Sequence, residues 1–150
     1  MATRDFVFTV PGKAVPQARP RFTSRGGYVR AYEPQKCSEY KQLVRRCAYE
    51  QCSITAENAA YTGAAKISVI EYRAIPKSWS AKKREMAREE VIFPLGKPDY
   101  DNVLKCIQDA LTGVLWVDDA QVMMGMGSKA YADEPRVLVQ VVYLDNSEAE

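Results

Sequence analysis

Residues 6 to 10 read Phe-Val-Phe-Thr-Val, a β-branched and aromatic run closed by Pro11-Gly12, and predict a strand. From Lys13 to Tyr32 periodicity is lost. Pro16, Pro20, Gly26 and Gly27 interrupt this stretch, and Ser24-Arg25-Gly26-Gly27 suits the turn of a short hairpin. After Pro34 the spacing becomes helical. Tyr40, Leu43, Val44, Cys47 and Ala48 recur on one side of residues 35 to 52, with Lys41, Arg45 and Arg46 on other faces. Residues 66 to 75 predict a second long strand ended by Pro76, and Ser80 is placed to cap a short charged helix over 81 to 88.

A second main helix is predicted from Asp101 to Val114. At about 100° per residue, Val103, Leu104, Ile107, Ala110, Leu111 and Val114 share an apolar arc, with Asp101, Lys105, Asp109 and Thr112 opposite. Gly113 is placed to end it. Two more strands, one within residues 120 to 131 and one from Arg136 to Leu144, flank Asp133-Glu134-Pro135 and predict an antiparallel hairpin. Residues 146 to 150 read as a loose tail. The order predicts an α/β (α+β) fold, a small mixed sheet with two main helices packed on it, in one domain spanning residues 1 to 150.

A length of 150 residues and 47% hydrophobic content suit one globular core. No run of about 18 apolar residues is present and no signal-peptide core follows Met1, so a soluble, cytoplasmic protein without membrane association is expected. Cys37, Cys47, Cys52 and Cys106 lack paired zinc-site spacing, and the chain has no histidine to complete such a site. Free thiols are expected.

Charge is distributed unevenly. Residues 1 to 46 carry ten bases and three acids, whereas residues 97 to 150 carry four and ten. A basic arm beside an acidic segment suits a protein that grips a polyanion with the first and holds a cation against it with the second. The ordinary alternative is chance partitioning of surface charge, because folding mixes distant segments.

The acidic segment holds the candidate chemistry. Without histidine, acid-base or metal chemistry falls to carboxylates. Asp99 and Asp101 are two apart, and Asp118 and Asp119 follow the predicted helix. Grouped carboxylates repel unless a cation or donors compensate, and a hard ion such as Mg²⁺ accepts a few carboxylates, waters and a substrate phosphate. Phosphate-ester chemistry is the first reading. Taken alone, Asp99 and Asp101 read first as the start of a helix, one as cap and one in the first turn. Lys105, at i+4 from Asp101, shares its face, either as an ion-pair partner or as an ammonium facing a phosphate. Asp118-Asp119 falls where a strand is about to begin, so one of the two is expected to face the site and the other to bond backbone.

The series Lys97-Pro98-Asp99-x-Asp101-Asn102-x-x-Lys105, Asp109-Ala110-Leu111 and Trp116-x-Asp118-Asp119-x-Gln121-Val122 resembles the RusA family of Holliday junction resolvases. The Pro- and Arg-rich entry, the helix, the middle strand and the final strands follow the family's order over nearly the whole chain. The link from Leu111 to Trp116 is a residue shorter than in the best-known member.

The resemblance implies a small homodimer that binds four-way DNA junctions and makes paired nicks with Mg²⁺, or Mn²⁺ in its place, serving DNA recombination and repair. It implies Asp99, Asp101 and Asp119 as metal ligands and Lys105 as the catalytic lysine, with Asp118 and Asp109 supporting. Arg19, Arg21, Arg25, Arg30 and Lys129 are then candidates for DNA phosphate contact, and Phe22 or Tyr28 for packing first and for a base wedge second. Two other readings stay open: a non-catalytic junction-binding module, and a small-nucleotide phosphohydrolase, which would leave the arginine-rich arm without a role.

Overall fold

Arg136–Leu144 alternates buried Val137, Val139, Val141 and Tyr143 with partly covered or exposed positions, which suits a strand with one face on the core, and it lies inside the sheet. The computed structural model describes residues 4–144; the tail expected at 146 to 150 lies outside them. The order is β1 (Asp5–Pro11), β2 (Arg21–Thr23), β3 (Arg30–Tyr32), α1 (Gln35–Gln51), α2 (Ala56–Ala59), β4 (Ala64–Ala74), α3 (Ala81–Arg88), α4 (Tyr100–Leu111), β5 (Val122–Ala132) and β6 (Arg136–Leu144). The result is a mixed α+β fold. Its main sheet runs β1-β6-β4-β5, with β6 antiparallel to β1 and β4, and β5 parallel to β4.

The predicted β5–β6 hairpin is not formed. Residues 133 to 135 instead cross the end of β4, because β6 needs partners on both sides whereas β5, rich in glycine and exposed methionine, is an edge strand. The short hairpin in the arm does form: β2 pairs with β3 around a 3-10 turn at Arg25–Gly27, where Gly26 and Gly27 both take positive φ. The short helix α2 had no signal in the periodicity. It is built on a capping box between Thr55 and Asn58.

Cross-strand register sets one face of the sheet. Phe8, Val139 and Val69 align with Gly127, while Phe6, Val141 and Ile67 align with Gly125. These apolar rows form the core with Val44 and Cys47 of α1 and Val103, Ile107 and Leu111 of α4. Helix α4 approaches β5 closely: a Cβ on Gly127 would stand 2.8 Å from the Tyr100 ring and 3.0 Å from its carbonyl oxygen. Glycine admits this approach.

The second main helix ends earlier than the periodicity predicts. Thr112 turns to extended backbone and its hydroxyl accepts a 3.0 Å bond from the Trp116 indole, while Gly113, at φ +86, donates to the Trp116 carbonyl at 2.7 Å. This folds Val114, Leu115 and Trp116 into the core instead of extending the helix. All four cysteines are free thiols, as their spacing suggests. Among the described residues no helix is long and apolar enough to cross a membrane.

Candidate active site

Helix α4 and the turn after it carry the carboxylates. Asp99 is the residue before the helix, in extended conformation, and its side chain makes no cap bond; Asp101 lies in the first turn. Both are exposed, and among the described residues neither carboxylate has a hydrogen-bond or ion-pair partner. Lys105 is also exposed and forms no ion pair with Asp101, despite its i+4 spacing. Three groups normally quenched by partners are thus left facing solvent.

The stripe continues. Gln108 stands at i+7 from Asp101 and i+3 from Lys105, which places all three within roughly 60° around the helix. Its amide donates at 2.6 Å to the Asp119 carboxylate, which therefore reaches the stripe from outside the helix. Sequence reading missed Gln108; its spacing from Lys105 was the available signal.

Asp118 and Asp119 precede β5, as expected, with Asp118 capping a 3-10 turn, Asp119–Gln121, that stands between them and the strand. Val122 is the first strand residue because the turn is closed locally. The Asp118 carboxylate accepts from the Ala120 amide at 2.8 Å. Gln121 accepts from the amides of Val117 and Asp118 and donates to the carbonyls of Tyr61 and Gly63. In this arrangement Asp118 serves its own backbone and Asp119 faces α4.

Asp109 lies off the stripe. Its carboxylate receives the buried Lys41 ammonium at 2.5 Å, and the same ammonium bonds Glu33, tying α1 to α4 and to the end of the arm. Burial pushes Lys41 down, but the bonds to Asp109 and Glu33 outweigh it and raise its pKa. The ammonium in turn holds Glu33 below the usual carboxylate value.

The loop entering the site is held from below. Glu71, 3% exposed, occupies the otherwise apolar face of β4 and bonds Arg73 through both carboxylate oxygens at 2.9 Å. Arg73 donates onward to the carbonyls of Gly96 at 3.1 Å and Pro98 at 3.4 Å. Lys129 also donates to the Gly96 carbonyl, at 3.0 Å. One of its three N–H donors therefore supports the loop, which leaves two for the phosphate contact expected of it. Arg19, Arg21 and Arg30 are exposed along the arm, and Arg25 lies in the 3-10 turn.

The donor set suits a hard divalent cation in kind, since the available ligands are carboxylate oxygens on an open face. It is not a closed cage. Asp101 and the Asp119–Gln108 pair are separated by two helical turns, about 10 Å, and among the described residues no three acidic or thiol groups stand close enough to hold an ion. The two carboxylates at the start of α4 suit an ion that keeps several waters and takes substrate phosphate as a ligand.

A family model for Endodeoxyribonuclease RusA matches residues 11–142, which include the arm, both main helices and all five candidate acids. The chain is similar to the uncharacterized protein YqaN of Bacillus subtilis (strain 168), with 40% identity over 136 residues, covering 89% of this chain and 93% of that protein. The family match spans the carboxylate stripe together with the fold that carries it, and the chain belongs to the RusA endodeoxyribonuclease family.

Proposed function

We propose that this protein is a divalent-metal-dependent endonuclease that resolves four-way DNA junctions by paired nicks in recombination and repair. The observation carrying the reading is the open stripe Asp101–Lys105–Gln108 with Asp119 docked on it, in a chain of this family. Asp99 and Asp101 would hold Mg²⁺, or Mn²⁺ in its place, with Asp119 joining the ligands on closure of the turn before β5 toward the start of α4, and the bound ion would supply Lewis-acid stabilisation of charge building on the phosphate. Lys105, which has no carboxylate partner among the described residues, would neutralise charge on a nonbridging oxygen. Gln108 orients Asp119, and Asp118 holds the turn that presents it. Hydrolysis would leave 5′-phosphate and 3′-hydroxyl ends.

A homodimer suits the twofold symmetry of a junction. Its support here is β5, whose outer edge has no strand partner among the described residues and whose Met123, Met124 and Met126 are 62%, 45% and 57% exposed. Such an apolar edge invites pairing with a second copy.

The test is nicking of synthetic four-way junctions beside duplex, flap and single-stranded controls, with Mg²⁺ and with chelator. Wild type should cut junctions selectively, and Asp101→Asn should bind without cutting; equal cutting by that variant would remove the reading. The spread of the carboxylates favours one second reading, a non-catalytic junction-binding module. Binding without metal-dependent turnover in wild type would support it.

A further inference from the structure

Two cavities, the first of them lined by Asp99, share a wall. One, of about 350 Å³, lies between the arm, the first turn of α1 and the start of α4, and its charged lining is Lys13, Lys36, Lys97 and Asp99. The other, of about 260 Å³, continues toward the end of β4 and is lined by Lys13 and Lys97 again, with Glu71 and Arg73. Lys13 and Lys97 therefore border both, making one trough that leads away from the candidate site.

The trough is cationic and its lysines are uncommitted. Glu71 is already neutralised by Arg73, and among the described residues Lys13, Lys36 and Lys97 have no carboxylate partner. Lys36 stands in the first turn of α1, which has no acidic residue and no side-chain cap, so the positive end of that helix adds to the field. The walls are fixed: Gly12 donates to the Pro135 carbonyl at 3.0 Å, and Gln17 donates to the Asn102 carbonyl at 2.9 Å, pinning both ends of the segment that carries Lys13. A compact anion would call for donors converging on one point. Lysines spaced along a trough suit successive phosphates of a chain.

We propose that this trough is the track for the sugar-phosphate backbone of the DNA strand being cut, with Lys13 and Lys36 contacting phosphates next to the cleaved bond. The inference rests on the nuclease reading and adds a strand path which the arginines of the arm do not define. Neither lysine belongs to the carboxylate stripe.

The experiment compares wild type, Lys13→Ala/Lys36→Ala and Lys13→Arg/Lys36→Arg for junction affinity across a salt series. For the alanine pair, affinity near 100 mM salt should fall about tenfold, and the slope of log affinity against log salt should become shallower by roughly 1.5 to 2. The arginine pair should retain wild-type values. Neutral methylphosphonates at the phosphates flanking the cut should weaken wild type while adding little to the alanine pair. Unchanged affinity, or lost affinity with an unchanged slope, would overturn the trough. Nicking by wild type reports separately on the nuclease reading, so a wild type that cuts normally beside an alanine pair that binds normally would discard the trough alone.

Discussion

The Glu71 carboxylate grips the Arg73 guanidinium through two bonds of 2.9 Å, and Arg73 passes that hold to the carbonyls just before Asp99. A buried acid on an apolar strand face is costly unless paired, so the pair acts as one unit. Arg73→Met should strand Glu71 and destabilise the fold by about 3 kcal/mol, measured by urea unfolding. Glu71→Gln should cost less, since the amide keeps one acceptor for Arg73. In single-turnover nicking assays both should slow the cut more than they weaken junction binding, because the loop they hold delivers a carboxylate.

Gly127 is a packing position. An alanine Cβ would sit 2.8 Å from the Tyr100 ring and 3.0 Å from its carbonyl oxygen, and a carbonyl cannot rotate out of the way. Gly127→Ala should therefore cost about 1–3 kcal/mol, and trimming the ring with Tyr100→Ala should not restore it. Gly125→Ala should be milder, since its nearest contact is the Leu104 side chain at 3.3 Å. Thermal melts of the two single variants and the Gly127→Ala/Tyr100→Ala pair check the ordering.

Periodicity was enough to find the long elements, because α1, α4, β1, β4 and β6 bury one face each and the residues that do so recur at the expected spacing, whereas α2 rests on a local capping box. Pairing was not. Whether β5 lies beside β4 or β6 depends on which strand must be covered on both sides, and that compares distant segments that local spacing does not link. The carboxylates were legible as residue types. What spacing could not show is that Asp119 is held by Gln108, that Lys105 leaves Asp101 unpaired, or that Lys129 bonds Gly96, since each depends on where a neighbouring element stops.

The Lys41 cluster gives a pH signature. Glu33, held below its ordinary 4.5 chiefly by the Lys41 ammonium, adds stability that is present above that value and lost as pH falls through the lower folded one. For Lys41, burial pushes downward but the bonds to Asp109 and Glu33 prevail. Its contribution is complete below 10.5 and lost as pH rises through the raised folded value. The stability difference between wild type and Lys41→Met should be flat between these limits and narrow beyond both, which denaturant midpoints across pH would show.

Burial pushes the Cys106 thiol up to about 12, and the thiols of Cys47 and Cys52 upward as well. At pH 8 the folded protein should react slowly with an aromatic disulfide reagent, Cys52 first because it is the least buried of the four. All four should react promptly in denaturant. A fast equivalent lost in Cys106→Ser would contradict the packing of α4.

Strand β4, helix α4 and strand β5 form one crossover between parallel neighbours, with Asp99 where the chain enters the helix and Asp119 just beyond its exit. The helix is thus a ruler laid between the two groups of acids. Its graduations are whole turns, each about 5.4 Å, so side-chain substitutions along α4 change what lies on the ruler while the distance between its ends changes only by gaining or losing chain. A relative with a longer or shorter link at this point must recalibrate the span through the turn before β5.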